Sequence, residues 1–259
     1  MYHIYGLLAK EVSDSTLAVC RTTLQKYSEP YMIQDISQKL LLKQTDSLLE
    51  IGCGTATLLY PLTLLVNESY GIDHQLTIDR LNNSPVLDNC HLISGNWLED
   101  TFSLPKVDKV LIYSVIHYMN SFDQAIEFIE KSLSVLKDGG RLLVGDIPNS
   151  NKKERFSATN FGKEFNEKWR NTREKFTTDE ERVRDTLLET LINRDSLTNT
   201  STDNNNEVIS FEFSDKMVVQ LILHFRKQGH EVYLLPQEKY LPFGYTREDI
   251  VIIKSGQVS

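Results

Sequence analysis

From Leu48 to Ala56 the chain reads Leu-Leu-Glu-Ile-Gly-Cys-Gly-Thr-Ala, an apolar run that carries one acid, Glu50, and ends in the turn Gly52-Cys53-Gly54. Glycine lets a ligand approach the backbone closely, and such ligands sit at the C-terminal ends of strands in an open parallel sheet. Asp73 follows nineteen residues after Gly54, closing Tyr70-Gly71-Ile72-Asp73, where its carboxylate can accept both hydroxyls of a ribose. The pair points to a nucleoside-containing cofactor. Dinucleotide sites favour a further glycine where a helix N-terminus meets the pyrophosphate, but Thr57 stands at that position. Glu50 would repel a diphosphate and suits a cationic ammonium, so S-adenosylmethionine (SAM) is expected in place of NAD.

These residues need a scaffold that brings strand ends together. The chain has 259 residues, 28 basic against 36 acidic, a formal charge of −8, and 40% hydrophobic residues, a globular profile with length for a sizeable core. Cys20, Cys53 and Cys90 are odd in number and widely spaced, which argues against a disulfide framework and fits a reducing, cytoplasmic setting. No apolar run approaches the ~20 residues that span a bilayer, and the first residues lack a secretion-signal layout, so no membrane partner is expected. The acidic balance speaks against nucleic acid as a partner.

From Ser47 onward short apolar runs alternate with helical patterns, the signature of βα units feeding a parallel sheet. Strands are expected near 47–51, 69–73, 91–94, 108–113, 141–146, 208–213, 230–235 and 248–254, and helices near 13–26, 32–43, 122–137 and 214–228, with Glu29-Pro30 breaking the first two apart. Residues 198–207 are polar and low in complexity and read as a linker. Two helical stripes, Phe161/Phe165/Trp169 and Val183/Leu187/Leu188/Leu191/Ile192, are expected to cover one edge of the sheet. The division is a helical cap over 1–46, a core over 47–149 and 208–259, and a helical insertion or lid over 150–207.

On these motifs the sequence resembles the class I SAM-dependent methyltransferases over about 40–149 and 208–254. The resemblance implies an α/β fold: a seven-stranded, mostly parallel sheet with helices on both faces, an antiparallel C-terminal hairpin and an insertion after the fifth strand. The family's acidic residue and GxGxG turn fall on Glu50, Gly52 and Gly54, with Ala56 in place of the third glycine and Cys53 between the first two. Its ribose acid falls on Asp73, beside His74 at the cofactor rim. Its adenine-contacting acid falls on Asn96, which can accept from the adenine amino group, with Trp97 able to stack on the ring. Tyr113 and Ser114, ending the fourth strand, face the methionine end of the cofactor, and Leu136 to Val144 resembles the start of the fifth strand.

The acceptor atom is less legible. The Asn-Pro-Pro-Tyr loop that grips a planar amino group is replaced by Tyr113-Ser114-Val115-Ile116, which disfavours nucleobase or glutamine methylation. His117 stands where an imidazole can deprotonate a hydroxyl or an ammonium, with Tyr118 as a second candidate, although a histidine here also recurs in the family as a loop-packing residue. No His/Asp/Glu cluster has metal spacing, so no metal is expected. Residues 151–176 hold eight basic and four acidic side chains, and Arg155, Lys163 and Arg170 are the residues expected to bind an anionic small-molecule substrate such as a carboxylated or nucleotide-linked sugar. The ending Leu241 to Asp249 resembles members that modify bacterial surface sugars. The alternative is a catalytically silent SAM-binding subunit that serves as a partner or scaffold, and the exposed helical stripes allow a monomer or a homodimer.

Overall fold

The computed structural model describes residues 1–198 and 212–256. Among them, seven strands form one sheet: β1 (Ser47–Ile51), β2 (Glu68–Asp73), β3 (Cys90–Ser94), β4 (Val107–Tyr113), β5 (Leu136–Pro148), β6 (Glu231–Pro236) and β7 (Arg247–Ile253), in the order β3-β2-β1-β4-β5-β7-β6. The first five strands pair in parallel and β7 runs antiparallel to both β5 and β6, as expected. The chain leaves β1 toward β2 on one side and returns to β4 on the other, so the strand order reverses at β1 and β4. That switch point leaves a crevice at their C-terminal ends.

Strand alternation divides the core into two layers. Leu49, Ile51, Val110, Ile112, Leu142, Val144, Ile250 and Ile252 face one way, against the apolar sides of α6 (Phe122–Val135) and α10 (Asp215–Lys227). Leu48, Leu111, Leu143 and Val251 face the other, against Met32, Ile36 and Leu40 of α3 (Glu29–Leu40). The remaining helices are α1 (Tyr2–Glu11), α2 (Ser15–Ala18), α4 (Leu59–Thr63), α5 (Gln75–Asn82), α7 (Ser150–Ala158), α8 (Asn160–Phe176) and α9 (Asp179–Thr198).

Several expected elements shift. Residues 2–11 form α1 where no helix was expected, and 13–26 is broken after α2 by Cys20, whose φ of 59° is left-handed. Pro30 does not break a helix: it occupies the first turn of α3, where its missing N–H costs no hydrogen bond. Of the strand expected at 208–213, residues 208–211 lie outside the described residues, as does the expected linker beyond Thr198, and Phe213 is non-strand core. The insertion helices do not line a sheet edge. Phe156, Phe161 and Phe165 gather around Tyr245 of the β6–β7 connection, and Leu187, Leu188 and Leu191 of α9 pack on Ile4, Leu8, Val12 and Leu17 of the N-terminal segment.

One buried ion cluster joins α3 to the sheet. Lys39 donates to Asp35 and to Asp249 of β7, each at 2.6 Å, and both carboxylates are nearly fully buried. Burial raises the pKa of both acids. Lys39 loses charge stability to burial as well, but Asp249 and Asp35 outweigh it and its pKa is raised. Replacing Lys39 by methionine leaves two buried carboxylates without a cation. We expect Lys39→Met to lose about 3–5 kcal/mol at neutral pH in urea unfolding. The bare acids hold protons in the native state that the unfolded chain has released, so stability falls as pH rises and part of the loss returns between pH 7 and pH 5. An equal loss at both pH values would remove the cluster from that role.

Candidate active site

A cavity of about 580 Å³ opens at the C-terminal ends of β1, β2 and β4. Its floor is the glycine turn. Gly52 and Gly54 have φ of +77° and +54°, and a Cβ added to Gly52 would stand 2.5 Å from Val115, so neither conformation nor space admits a side chain there. The Gly52 amide is tied to the Ile72 carbonyl at 2.8 Å. Cys53 contributes backbone to the cavity, while its thiol is buried among Ala56, Leu59 and Ile78.

Asp73 closes the turn from β2. One carboxylate oxygen accepts from the Gly54 amide at 2.7 Å and the other from the His74 amide at 2.6 Å. Burial raises its pKa against the pull of those two amides. The Thr77 hydroxyl donates to the carboxylate as well, which still has acceptor capacity to spare and lines the cavity. Glu50 lies beneath the glycine turn, fully enclosed, with Oε2 lacking any hydrogen-bond partner. Burial pushes its carboxyl up to about 8; the Arg21 guanidinium opposes that shift and Asp73 adds to it. A buried acid with an unmet acceptor is costly unless a ligand supplies the donor. Arg21 lines the same cavity, donating to Thr57 at 2.7 Å and Glu29 at 3.2 Å.

At the other end, Tyr113, Ser114 and His117 continue from β4. Ser114 has a φ of 59° and donates its hydroxyl to Asp146 at 2.7 Å. The Tyr113 ring takes the space that a side chain at Gly145 would fill, and its hydroxyl accepts from Gln237 at 3.4 Å. His117 Nδ1 is buried and unpartnered; burial and then the nearby Arg247 charge lower its pKa to about 3. Neutral at any working pH, it accepts a hydrogen bond readily but is a poor general base. Tyr118 hydrogen-bonds Tyr5 of α1, and burial raises its pKa to about 12, so it serves as a hydroxyl and not as a base.

Three expectations need correction. His74 does not line the cavity: its Nδ1 accepts from the Leu76 amide, capping α5, and its ring meets Tyr2 and His3 of α1. Trp97 reaches the cavity wall, but its indole is buried, donates to Ser132 at 3.1 Å and stacks on Phe102, which leaves no free face for a cofactor base. Asn96 does line the cavity, and its carbonyl oxygen accepts from the Leu98 amide at 3.2 Å with a second lone pair left. Arg155, Lys163 and Arg170 all lie outside it: Arg155 pairs with Asp215, and the other two are solvent-exposed on α8. The cavity's cations are instead Arg21 and Arg247, and Asp146 joins Glu50, Asp73 and Glu99 among its carboxylates. Sequence patterns gave no signal for Arg21, Arg247 and Asp146, because they come from a loop, the last strand and a bulge. Among the described residues, no group of three or more His, Cys, Asp or Glu could hold a metal, and no helix is long and apolar enough to cross a membrane.

Comparison with known proteins gives the same site a family. Residues 42–205 match the family described as a methyltransferase domain. The chain is 36% identical over 104 residues, 38% of its length, to a protein of Salinispora arenicola described as a probable non-canonical nonribosomal peptide synthetase, CymA. It is 31% identical over 123 residues, 45% of its length, to the chondramide synthase cmdD of Chondromyces crocatus. The matched segments span only 1% and 3% of those two proteins. Among solved structures, the N-methyltransferase NodS of Bradyrhizobium japonicum, in complex with S-adenosylhomocysteine, superposes with a TM-score of 0.54 at 11% identity, covering 96% of both chains. The glycine turn, the Asp73 carboxylate beside it and the family match agree: the chain belongs to the class I SAM-dependent methyltransferase domain family.

Proposed function

We propose that the chain transfers the methyl group of SAM to a nitrogen or oxygen nucleophile of a small acceptor held at the Asp146–His117–Arg247 end of the cavity. When bound, SAM supplies a methyl group on a sulfonium, which an in-line nucleophile can take. In this reading Asp73 accepts the ribose hydroxyls and Gly52 and Gly54 bring backbone against the cofactor. Glu50 takes the methionine ammonium, and Arg21 takes its carboxylate. The observation that carries the reading is the unmet Glu50 carboxyl beneath a side-chain-free turn, because an ammonium supplies the donor that the protein withholds. Two of the proteins named above, one an N-methyltransferase and one described as a probable nonribosomal peptide synthetase, support nitrogen over oxygen. The anionic character of the acceptor rests on Arg247, since the insertion's basic residues stand outside the cavity.

Calorimetric titration with S-adenosylhomocysteine tests the cofactor roles. Asp73→Ala removes two charge-assisted acceptors and should weaken binding at least tenfold, a loss of about 1.4 kcal/mol or more. Retained affinity would move the ribose elsewhere. Glu50 gives a second test through pH. With its carboxyl near 8, ligand binding must release its proton at lower pH, so affinity should rise from pH 6 to pH 8, by up to about tenfold per unit. Glu50→Gln should bind more weakly and lose that slope; an unchanged slope would assign the proton to another group.

A further inference from the structure

The fifth strand carries a defect aimed at the cavity. On β5, Val144 pairs with Ile250 and Ile147 with Glu248, so Gly145 and Asp146 together oppose the single residue Asp249. This is a β-bulge, a device that re-aims one side chain. Asp146 adopts a φ of 61°, a left-handed conformation that an aspartate pays to hold, and its amide is fixed by the buried Asp249 carboxylate at 2.8 Å. Ile147 lies in the α6/α10 core layer, whereas Asp146 leaves that layer and lines the cavity. Its Oδ2 accepts from Ser114 at 2.7 Å, and Oδ1 lies 3.4 Å from the Gln237 amide nitrogen. A carboxylate held by Ser114 and Gln237 on a backbone fixed by Asp249, with lone pairs left over, is a preorganised acceptor for a ligand donor.

Arg247 stands across from it. The guanidinium nitrogen lies 3.6 Å from Asp146 Oδ1, too far for a hydrogen bond, and its carbon is 4.9 Å from the Phe243 ring centroid. The pair is therefore loose and faces the cavity from both sides. A ligand that brings an ammonium to Asp146 and a carboxylate to Arg247 gains two charge-assisted contacts and leaves neither residue unpaired. The neutral His117 adds an acceptor and no charge to repel the ammonium.

From this geometry we infer that Asp146 and Arg247 form the acceptor subsite and that it selects an amino-acid-type substrate, with the amine on Asp146 and the neighbouring carboxylate on Arg247. The inference rests on the methyltransferase reading and names the substrate class for the same site. The ammonium docked on Asp146 gives one proton to solvent, and the freed nitrogen lone pair forms the new N–C bond as the methyl–sulfur bond of SAM breaks and S-adenosylhomocysteine leaves. The bulge turns a β5 carboxylate out of the core layer and toward that nitrogen.

The test titrates the S-adenosylhomocysteine-loaded chain with free α-amino acids, the matching decarboxylated amines and the matching 2-hydroxy acids, and assays the same panel for a one-methyl mass gain with SAM. At least one amino acid should bind and be methylated on nitrogen, with its decarboxylated amine binding at least about tenfold more weakly and its hydroxy acid failing to be methylated. Asp146→Asn should raise KM for that amino acid at least about tenfold while leaving S-adenosylhomocysteine affinity and unfolding midpoint near the wild type. Arg247→Gln should erase the preference for the amino acid over the amine. If S-adenosylhomocysteine binds the wild-type chain but no α-amino acid binds or is methylated, or if the hydroxy acids are preferred, the inference is overturned while the methyltransferase reading stands. Loss of S-adenosylhomocysteine binding in Asp146→Asn would also overturn it, by assigning Asp146 to the cofactor. Failure of the wild type to bind S-adenosylhomocysteine would sink the cofactor assignment itself.

Discussion

Asp249 is a fully buried carboxylate that does two jobs with its two oxygens. One accepts from Lys39 at 2.6 Å, which fixes α3 against the sheet; the other accepts from the Asp146 amide at 2.8 Å, which holds the β5 bulge open. A buried charge persists only when paired and hydrogen-bonded on every side, so its requirements propagate outward. Lys39 must stay charged to meet them, Asp35 must stand beside Lys39, and Gln237 must turn its amide toward Asp249 at 3.2 Å. The wall of the cavity is thus as rigid as the ion cluster behind it. Structural charge and site geometry are the same set of atoms here.

Burial also decides what the site's titratable groups can do. Glu50 and His117 are both enclosed and both have an unmet atom, yet burial moves them in opposite directions. The carboxyl rises to about 8 and the imidazole falls to about 3. Each is pushed toward its neutral form, so the ligand-free cavity carries less charge than its residue list suggests. Tyr5 and Tyr118, one hydrogen-bonded to the other, are likewise held as neutral hydroxyls by burial. The cofactor end can recover the Glu50 charge when a cation arrives. At the other end His117 and Tyr118 are both held neutral by burial, which would suit a nucleophile that sheds its proton to solvent and needs only orientation.

The parts of this chain written in local patterns were legible from sequence. The alternation of β1, β4 and β5 gives their two buried faces, and the spacing of Glu50, Gly52, Gly54 and Asp73 gives a strand-end turn whose positive φ and amide bonds the structure bears. Residues whose position depends on distant partners were not legible. Trp97 sits two residues from a cavity turn and reads as a stacking platform, but Ser132 and Phe102, far along the chain, draw it into the core. Asp146 reads as an ordinary strand residue until Asp249 is known to face it. The basic residues of 151–176 read as a patch, because sequence reports their charge without the acids, Asp215, Glu181 and Asp185, that meet Arg155 and Arg173.

The insertion reaches the cavity through an intermediary. Arg184 of α9, nearly fully buried, donates to the carbonyls of Leu17 at 2.8 Å and Arg21 at 3.1 Å, while Glu181 accepts from the Thr23 amide at 3.0 Å. The loop between α2 and α3 is therefore hydrogen-bonded to α9 on both sides of Arg21, whose guanidinium projects into the cavity beside Glu50. The N-terminal segment has an apolar face that α9 covers with Leu187, Leu188 and Leu191, and α9 is amphipathic only with respect to that face. The same segment is also tied to the core, where Arg80 of α5 donates to the carbonyls of Ala9 and Val12 and Tyr5 hydrogen-bonds Tyr118, so burial against α9 adds to an anchorage it already has. The Arg21 cation beside Glu50 is thus positioned in part by a helix that contributes no residue to the cavity lining.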